Sequence, residues 1–132
     1  MGVLTKTQFQ KLDKLFFDAP ALKQAVDELR IIKKVDAQDS ADPTSKEAVE
    51  GLAEIKAAMT YERPEAWLRV VNATWEKYNN TTIGDAMCRR YKLREKWTRT
   101  VCVLFIADDT YFRWRREFIF SAALFAAREG LI

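Results

Sequence analysis

The sequence predicts an all-α protein: a multi-helix chain with an N-terminal helical hairpin and a C-terminal helix-turn-helix. Three observations predict it. The chain has 132 residues but only four glycines and three prolines, too few turn formers for the many reversals of an all-β fold. Apolar residues make up 48% of it, enough for a core and too many for a disordered chain. Segment by segment those residues recur every three or four positions, the period of a helix that buries one face.

Residues 5–18 form the first expected helix. Thr5 or Thr7 can cap it, and Phe9, Leu12, Leu15 and Phe16 share a face. Ala19-Pro20 ends it, and Pro20 fits the first turn of a second helix, where a missing N–H costs nothing. That helix carries Leu22, Val26, Leu29 and Ile32 or Lys33 on one side and runs to about residue 35. The two make a hairpin over 1–36. Residues 37–45 are polar and rich in turn formers, a linker. Asp42 and Pro43 then open a third helix with the stripe Val49, Leu52, Ile55 and Met59.

A helical domain follows over 46–132. Arg63-Pro64-Glu65 opens the fourth helix, with Trp67, Leu68, Val71, Trp75 and Tyr78 on its buried side. Asn79-Asn80 ends it, and Thr81 or Thr82 caps a fifth whose inner face is Ile83, Met87, Cys88 and Tyr91. A sixth helix over about 94–105 places Trp97, Val101, Leu104 and Phe105 inside. A turn at 106–108 leads to a long last helix over about 109–129, stopped by Gly130. In that helix Tyr111, Trp114, Phe118, Ala122 and Phe125 make one apolar stripe, and Phe112 is best placed for exposure. The run Phe118-Ile119-Phe120 is apolar all round, which suits deep burial or an interface in a homo-oligomer.

Composition narrows function. There is no histidine, so no Ser-His-Asp or Cys-His set can be built. No Gly-rich phosphate loop occurs, and the expectation is a protein that is not an enzyme and needs no cofactor. Cys88 and Cys102 form neither a disulfide framework nor a zinc motif and read as small buried residues. No apolar stretch approaches the roughly 20 residues of a bilayer span, and residues 1–17 lack a leader's layout. A cytoplasmic protein without a membrane partner is expected.

Charge points to a polyanion. Between Arg89 and Arg116 nine basic residues face three acidic ones, a local +6 in a chain of net +3. Such asymmetry marks a nucleic-acid-binding end. The last two helices, at about 94–129, have helix-turn-helix proportions, and the second would enter a DNA major groove. Thr110, Arg113 and Arg116 share one face of it and are the expected base readers. Arg115 lies about 100° from Arg116. With Arg89, Arg90, Arg94, Lys96 and Arg99 it is expected to neutralise phosphates.

The stretch Leu104-Phe105-Ile106-Ala107-Asp108-Asp109-Thr110-Tyr111-Phe112-Arg113-Trp114-Arg115 resembles phage late-gene transcriptional regulators of the RinA and ArpU type. Those proteins are similar in turn to the promoter-reading domain of sigma factors. Met87-Cys88-Arg89-Arg90-Tyr91 with Trp97, and the closing Gly130-Leu131, fit the same pattern. The resemblance covers residues 64–132. It implies a phage or prophage regulator that binds double-stranded DNA. The N-terminal helices, outside the resemblance, are expected to mediate self-association or to contact host RNA polymerase. The chain departs from the pattern at Ala107, where serine is usual, and two aspartates follow. Asp108 or Asp109 is then the expected cap, and both would repel DNA phosphate where the reading helix starts. Two rival readings remain open: a phage adaptor that inhibits a host protein, and a DNA-packaging protein like a small terminase subunit.

Overall fold

The computed structural model describes residues 4–38 and 63–132. Among them are five helices and no strand: α1 (Lys6–Gln38), α2 (Pro64–Lys77), α3 (Thr82–Tyr91), α4 (Trp97–Leu104) and α5 (Asp108–Arg128). The all-α expectation holds. No helix of the described residues is long and apolar enough to cross a membrane. The third expected helix, with Val49, Leu52, Ile55 and Met59, lies outside the described residues, as does most of the expected linker.

The expected hairpin is corrected. Residues 6–38 form one continuous helix with Pro20 inside it. Thr5 begins α1 with a reciprocal cap: its Oγ1 accepts from Gln8 N–H at 3.1 Å, and its own N–H donates to Gln8 Oε1 at 3.0 Å. The helix passes through Pro20 because Leu12, Leu15, Phe16, Ala19, Leu22 and Val26 fall on one unbroken buried stripe. Pro20 itself is exposed, so its ring sits away from that stripe. An interior proline costs about 3 kcal/mol, whereas each fully buried large apolar side chain contributes about 1.5–3 kcal/mol. Several such side chains on the stripe outweigh one proline.

The chain divides into two compact units, Met1–Phe17 with Arg69–Ile132, and Asp18–Leu68. In the second unit Ala19, Leu22, Ala25, Val26, Ala66 and Trp67 are buried. The first unit carries the basic segment. Its centre is an aromatic cluster around Phe118, which is fully buried. The Phe118 ring lies 4.8 Å from Phe16, 4.9 Å from Trp75, 5.3 Å from Tyr78 and 5.9 Å from Tyr91, centroid to centroid. One polar knot joins α2 to α5: Tyr78 Oη and Ser121 Oγ are 2.7 Å apart, and Lys77 Nζ donates to the same Ser121 oxygen at 2.9 Å. Ser121 is therefore satisfied inside the core.

Local signals set the helix ends. Arg63 takes φ 55°, and Pro64 follows as the first residue of α2. Asn80 turns the chain at φ 59°, a conformation asparagine tolerates. Thr81 then caps α3, its Oγ1 accepting from Gly84 N–H at 3.0 Å. Gly84 lies against the Tyr78 carbonyl so closely that a Cβ would collide with backbone. Gly84→Ala is therefore expected to lose about 1–3 kcal/mol despite alanine's better helix propensity. Urea unfolding followed by tryptophan fluorescence checks this, and an unchanged or raised stability would contradict it.

Two other ends differ from expectation. Ala107 occupies the N-cap of α5 with no side-chain bond, and Asp108 and Asp109 lie in the first turn. Neither aspartate is the cap; their carboxylates suit the helix dipole instead. Phe105 ends α4 in the left-handed region, φ 55°, and is 94% exposed rather than inside. The tight C-terminal turn, with Ile106 N–H bonded to Val101 O at 3.1 Å, swings that side chain outward. Gly130, at φ 72°, closes α5 as expected.

Candidate nucleic-acid interface

The basic segment separates into an inward and an outward set. The inward set centres on Asp13 of α1. Its carboxylate receives Arg90 Nη2 at 3.0 Å, Arg115 Nη2 at 3.1 Å and the Tyr91 hydroxyl at 2.6 Å. The side chains of Arg90, Asp13 and Arg115 are only 19%, 16% and 23% exposed. Rings enclose the guanidiniums: Arg90 lies over Phe17 and Tyr91, and Arg115 over Phe9. Burial works to raise the Asp13 pKa, but the hydrogen bonds from Tyr91 and Arg90 and the Arg115 charge outweigh it. The carboxyl stays below the ordinary range and remains ionised. Burial, reinforced by the Asp13 charge, pushes the Tyr91 hydroxyl well above its usual value. Burial alone would lower the Arg90 pKa, but Asp13 reverses this and raises it.

Arg89 is also turned inward. It pairs with Glu95 at 3.3 Å, and the same carboxylate accepts from the buried Thr100 hydroxyl at 2.9 Å. Arg89, Arg90 and Arg115 are thus held by carboxylates of this chain, where the sequence suggested phosphate partners. Two carboxylates, Asp13 and Glu95, thus offset two of these three charges before any polyanion arrives.

The outward set is Lys92, Arg94, Lys96, Arg99, Arg113 and Arg116, all exposed, with Lys92 over the Trp75 ring at 4.5 Å. Arg99 reaches Glu95 only at 3.8 Å and keeps its side chain 77% exposed, so that pair contributes little. Arg94 rests over the Phe17 ring at 5.3 Å. Arg113 and Arg116 have no ion-pair partner among the described residues. They project from α5 opposite its buried residues Tyr111 and Phe118. Thr110, on the same face, is half-buried.

Aromatic packing fixes α4 against the start of α5. Trp97 stacks 5.1 Å from Phe112 and 6.5 Å from Tyr111. The first turns of the two helices therefore lie side by side, with Lys96 and Arg99 on one and Thr110 and Arg113 on the other. Phe112 is half-buried by this packing, as are Trp114 and Phe125 of the expected stripe. Cys88 is half-buried and Cys102 exposed, so only part of the small-buried-residue reading holds.

Asp13, Tyr91 and Glu95 were not foreseen as organisers of the arginines. One signal for Asp13 existed: it borders the Phe9–Leu12–Phe16 face of α1. Nothing in that position tells which cations it meets, because Arg90 and Tyr91 lie 77 and 78 residues away and Arg115 lies farther still. Comparison with family models, with curated proteins and with solved structures gives no match.

Proposed function

We propose that the protein is a sequence-specific double-stranded DNA-binding transcriptional regulator of the phage late-gene type, acting without catalysis. One observation carries the reading: Arg113 and Arg116 stand exposed and unpaired among the described residues, on the outer face of a helix that follows a short helix and a three-residue turn. That helix presents guanidiniums suited to base edges in a major groove. Lys96 and Arg99, held alongside by the Trp97 packing, supply phosphate contacts. The resemblance of residues 104–115 to late-gene regulators supplies the phage context, and the N-terminal helix would serve self-association or contact host RNA polymerase.

A specific observation favours a second reading. Phe105 is 94% exposed, and Asp108 and Asp109 stand exposed just after it. An adaptor that binds a host protein would use an exposed aromatic beside carboxylates, and carboxylates oppose DNA phosphate.

Binding to duplexes from a phage late region, against scrambled duplex across a salt series, separates the two. A regulator shows affinity that falls steeply with salt and a preference for one fragment. In that assay Arg113→Ala should cost about 1–3 kcal/mol on the preferred fragment and relax the preference. Arg99→Ala should weaken all duplexes alike and lower the salt slope by about one. Equal loss on every sequence from Arg113→Ala would remove base reading. No binding at low salt would move the weight to the adaptor.

A further inference from the structure

The exposed side of α5 changes character along its length. Its C-terminal half presents Glu117, Phe120, Leu124, Ala127 and Arg128 to solvent. Phe120 and Leu124 are 38% and 46% exposed, and as i and i+4 neighbours they form one apolar patch. The opposite side of the same turns is core, with Phe118, Ile119 and Ala122 fully buried. Scattered exposed apolar residues need no explanation, but here the patch and its charges are arranged about a single point. Phe120 and Leu124 are symmetric about position 122, and Glu117 and Arg128 almost so. The eleven-residue step from Glu117 to Arg128 is close to three turns, which puts both on one flank of the helix within about 20°.

We propose that this half of α5 is the contact between two copies of the chain, packed antiparallel about a twofold axis near residue 122. In that arrangement Phe120 of one copy meets Leu124 of the other. A perpendicular twofold axis keeps equivalent flanks on the same side of the seam, so Glu117 comes beside Arg128 of the second copy. Each contact is made twice. In a parallel pairing the twofold runs along the helices and carries Glu117 and Arg128 of the two copies to opposite sides of the seam, so neither meets an opposite charge from this set; the paired charges favour the antiparallel form. Ala127 lies opposite Glu117 and lets the helices approach. A seam of about three turns falls short of the roughly 1,200 Å² of a standard interface. The association is therefore weak and concentration-dependent. It is independent of the DNA-binding reading.

Sedimentation across a protein concentration series tests it. The expected result is a monomer–dimer equilibrium that Glu117→Arg and Arg128→Glu each weaken at least about fivefold. The double variant carrying both changes regains the wild-type association, and Leu124→Glu is monomeric throughout. All four changed chains should keep the wild-type helicity and melting transition, since every altered side chain is exposed. A wild-type chain that is monomeric at every concentration would overturn the proposal. So would a double variant no better than the singles.

Discussion

Asp13→Ala should destabilise the first compact unit by about 3–5 kcal/mol, nearer the lower end because the cluster keeps some solvent contact. The substitution does more than delete two ion pairs. It leaves the Arg90 and Arg115 guanidiniums facing each other's charge across a site where they are about four-fifths covered. It also strips the Tyr91 hydroxyl of its acceptor. Uncompensated buried cations cost more than the pairs contribute, so the effect exceeds that of any exposed ion pair of this protein. Arg69→Ala provides the contrast: its pair with Glu129 is 2.9 Å long, but Arg69 is 56% exposed, and a loss of about 1 kcal/mol or less is expected. Urea unfolding of both variants checks the ordering. A loss below about 1 kcal/mol for Asp13→Ala would mean that the cluster does not organise the fold.

The same site fixes a pH dependence. The folded-state pKa of Asp13 is held below its unfolded value. The unfolded chain then binds the proton first as pH falls. Stability from the cluster is fully present above about pH 4 and is lost as pH drops through the depressed folded value. Tyr91 works at the other end. Its folded pKa is raised, so its contribution is complete below about pH 10 and is lost above it. Asp13→Asn should flatten the acid limb and also weaken the alkaline limb, because the Asp13 charge is part of what raises the Tyr91 hydroxyl. An acid limb unchanged by that substitution would assign it to other carboxylates.

Phe118→Ala should cost about 3–5 kcal/mol through lost burial and the cavity left behind. The ring is fully covered and has four aromatic neighbours, from α1, α2, the turn after α2 and α3, between 4.8 and 5.9 Å away. Such rings are stiff and their own positions are shared with other contacts: Phe16 also packs edge-on to Trp75 at 5.8 Å. The cluster cannot close around a hole, so collapse recovers little. Phe118→Leu keeps more of the volume and should lose less than half as much as alanine does. Equal losses from the two would show that ring shape, and not volume, sets the cost.

Several elements were legible because their signals are local. The Arg63-Pro64-Glu65 start, the Asn80 turn with its Thr81 cap and the Gly130 stop each act through a few neighbouring residues, and the chain obeys all of them. Pro20 was equally local and was overruled. Its penalty was fixed by the sequence, but the stripe that outweighs it gains its energy only when buried. Phe105 shows the reverse: its helical spacing suggested the core, and the left-handed turn at the end of α4 turned it out. A period assigns a face to a residue only while the helix continues.

By itself, then, the sequence determined the all-α class, most helix ends, and the presence of a strongly basic C-terminal third. What only tertiary structure decided is which of those charges are available. Arg89, Arg90 and Arg115 read the same as Arg99, Arg113 and Arg116 along the chain. Arg89 is taken by Glu95, six residues away, but Arg90 and Arg115 are taken by a carboxylate 77 residues from Arg90, because an ion pair depends on distance in space, and folding alone brings Asp13 to 3.0 Å from Arg90.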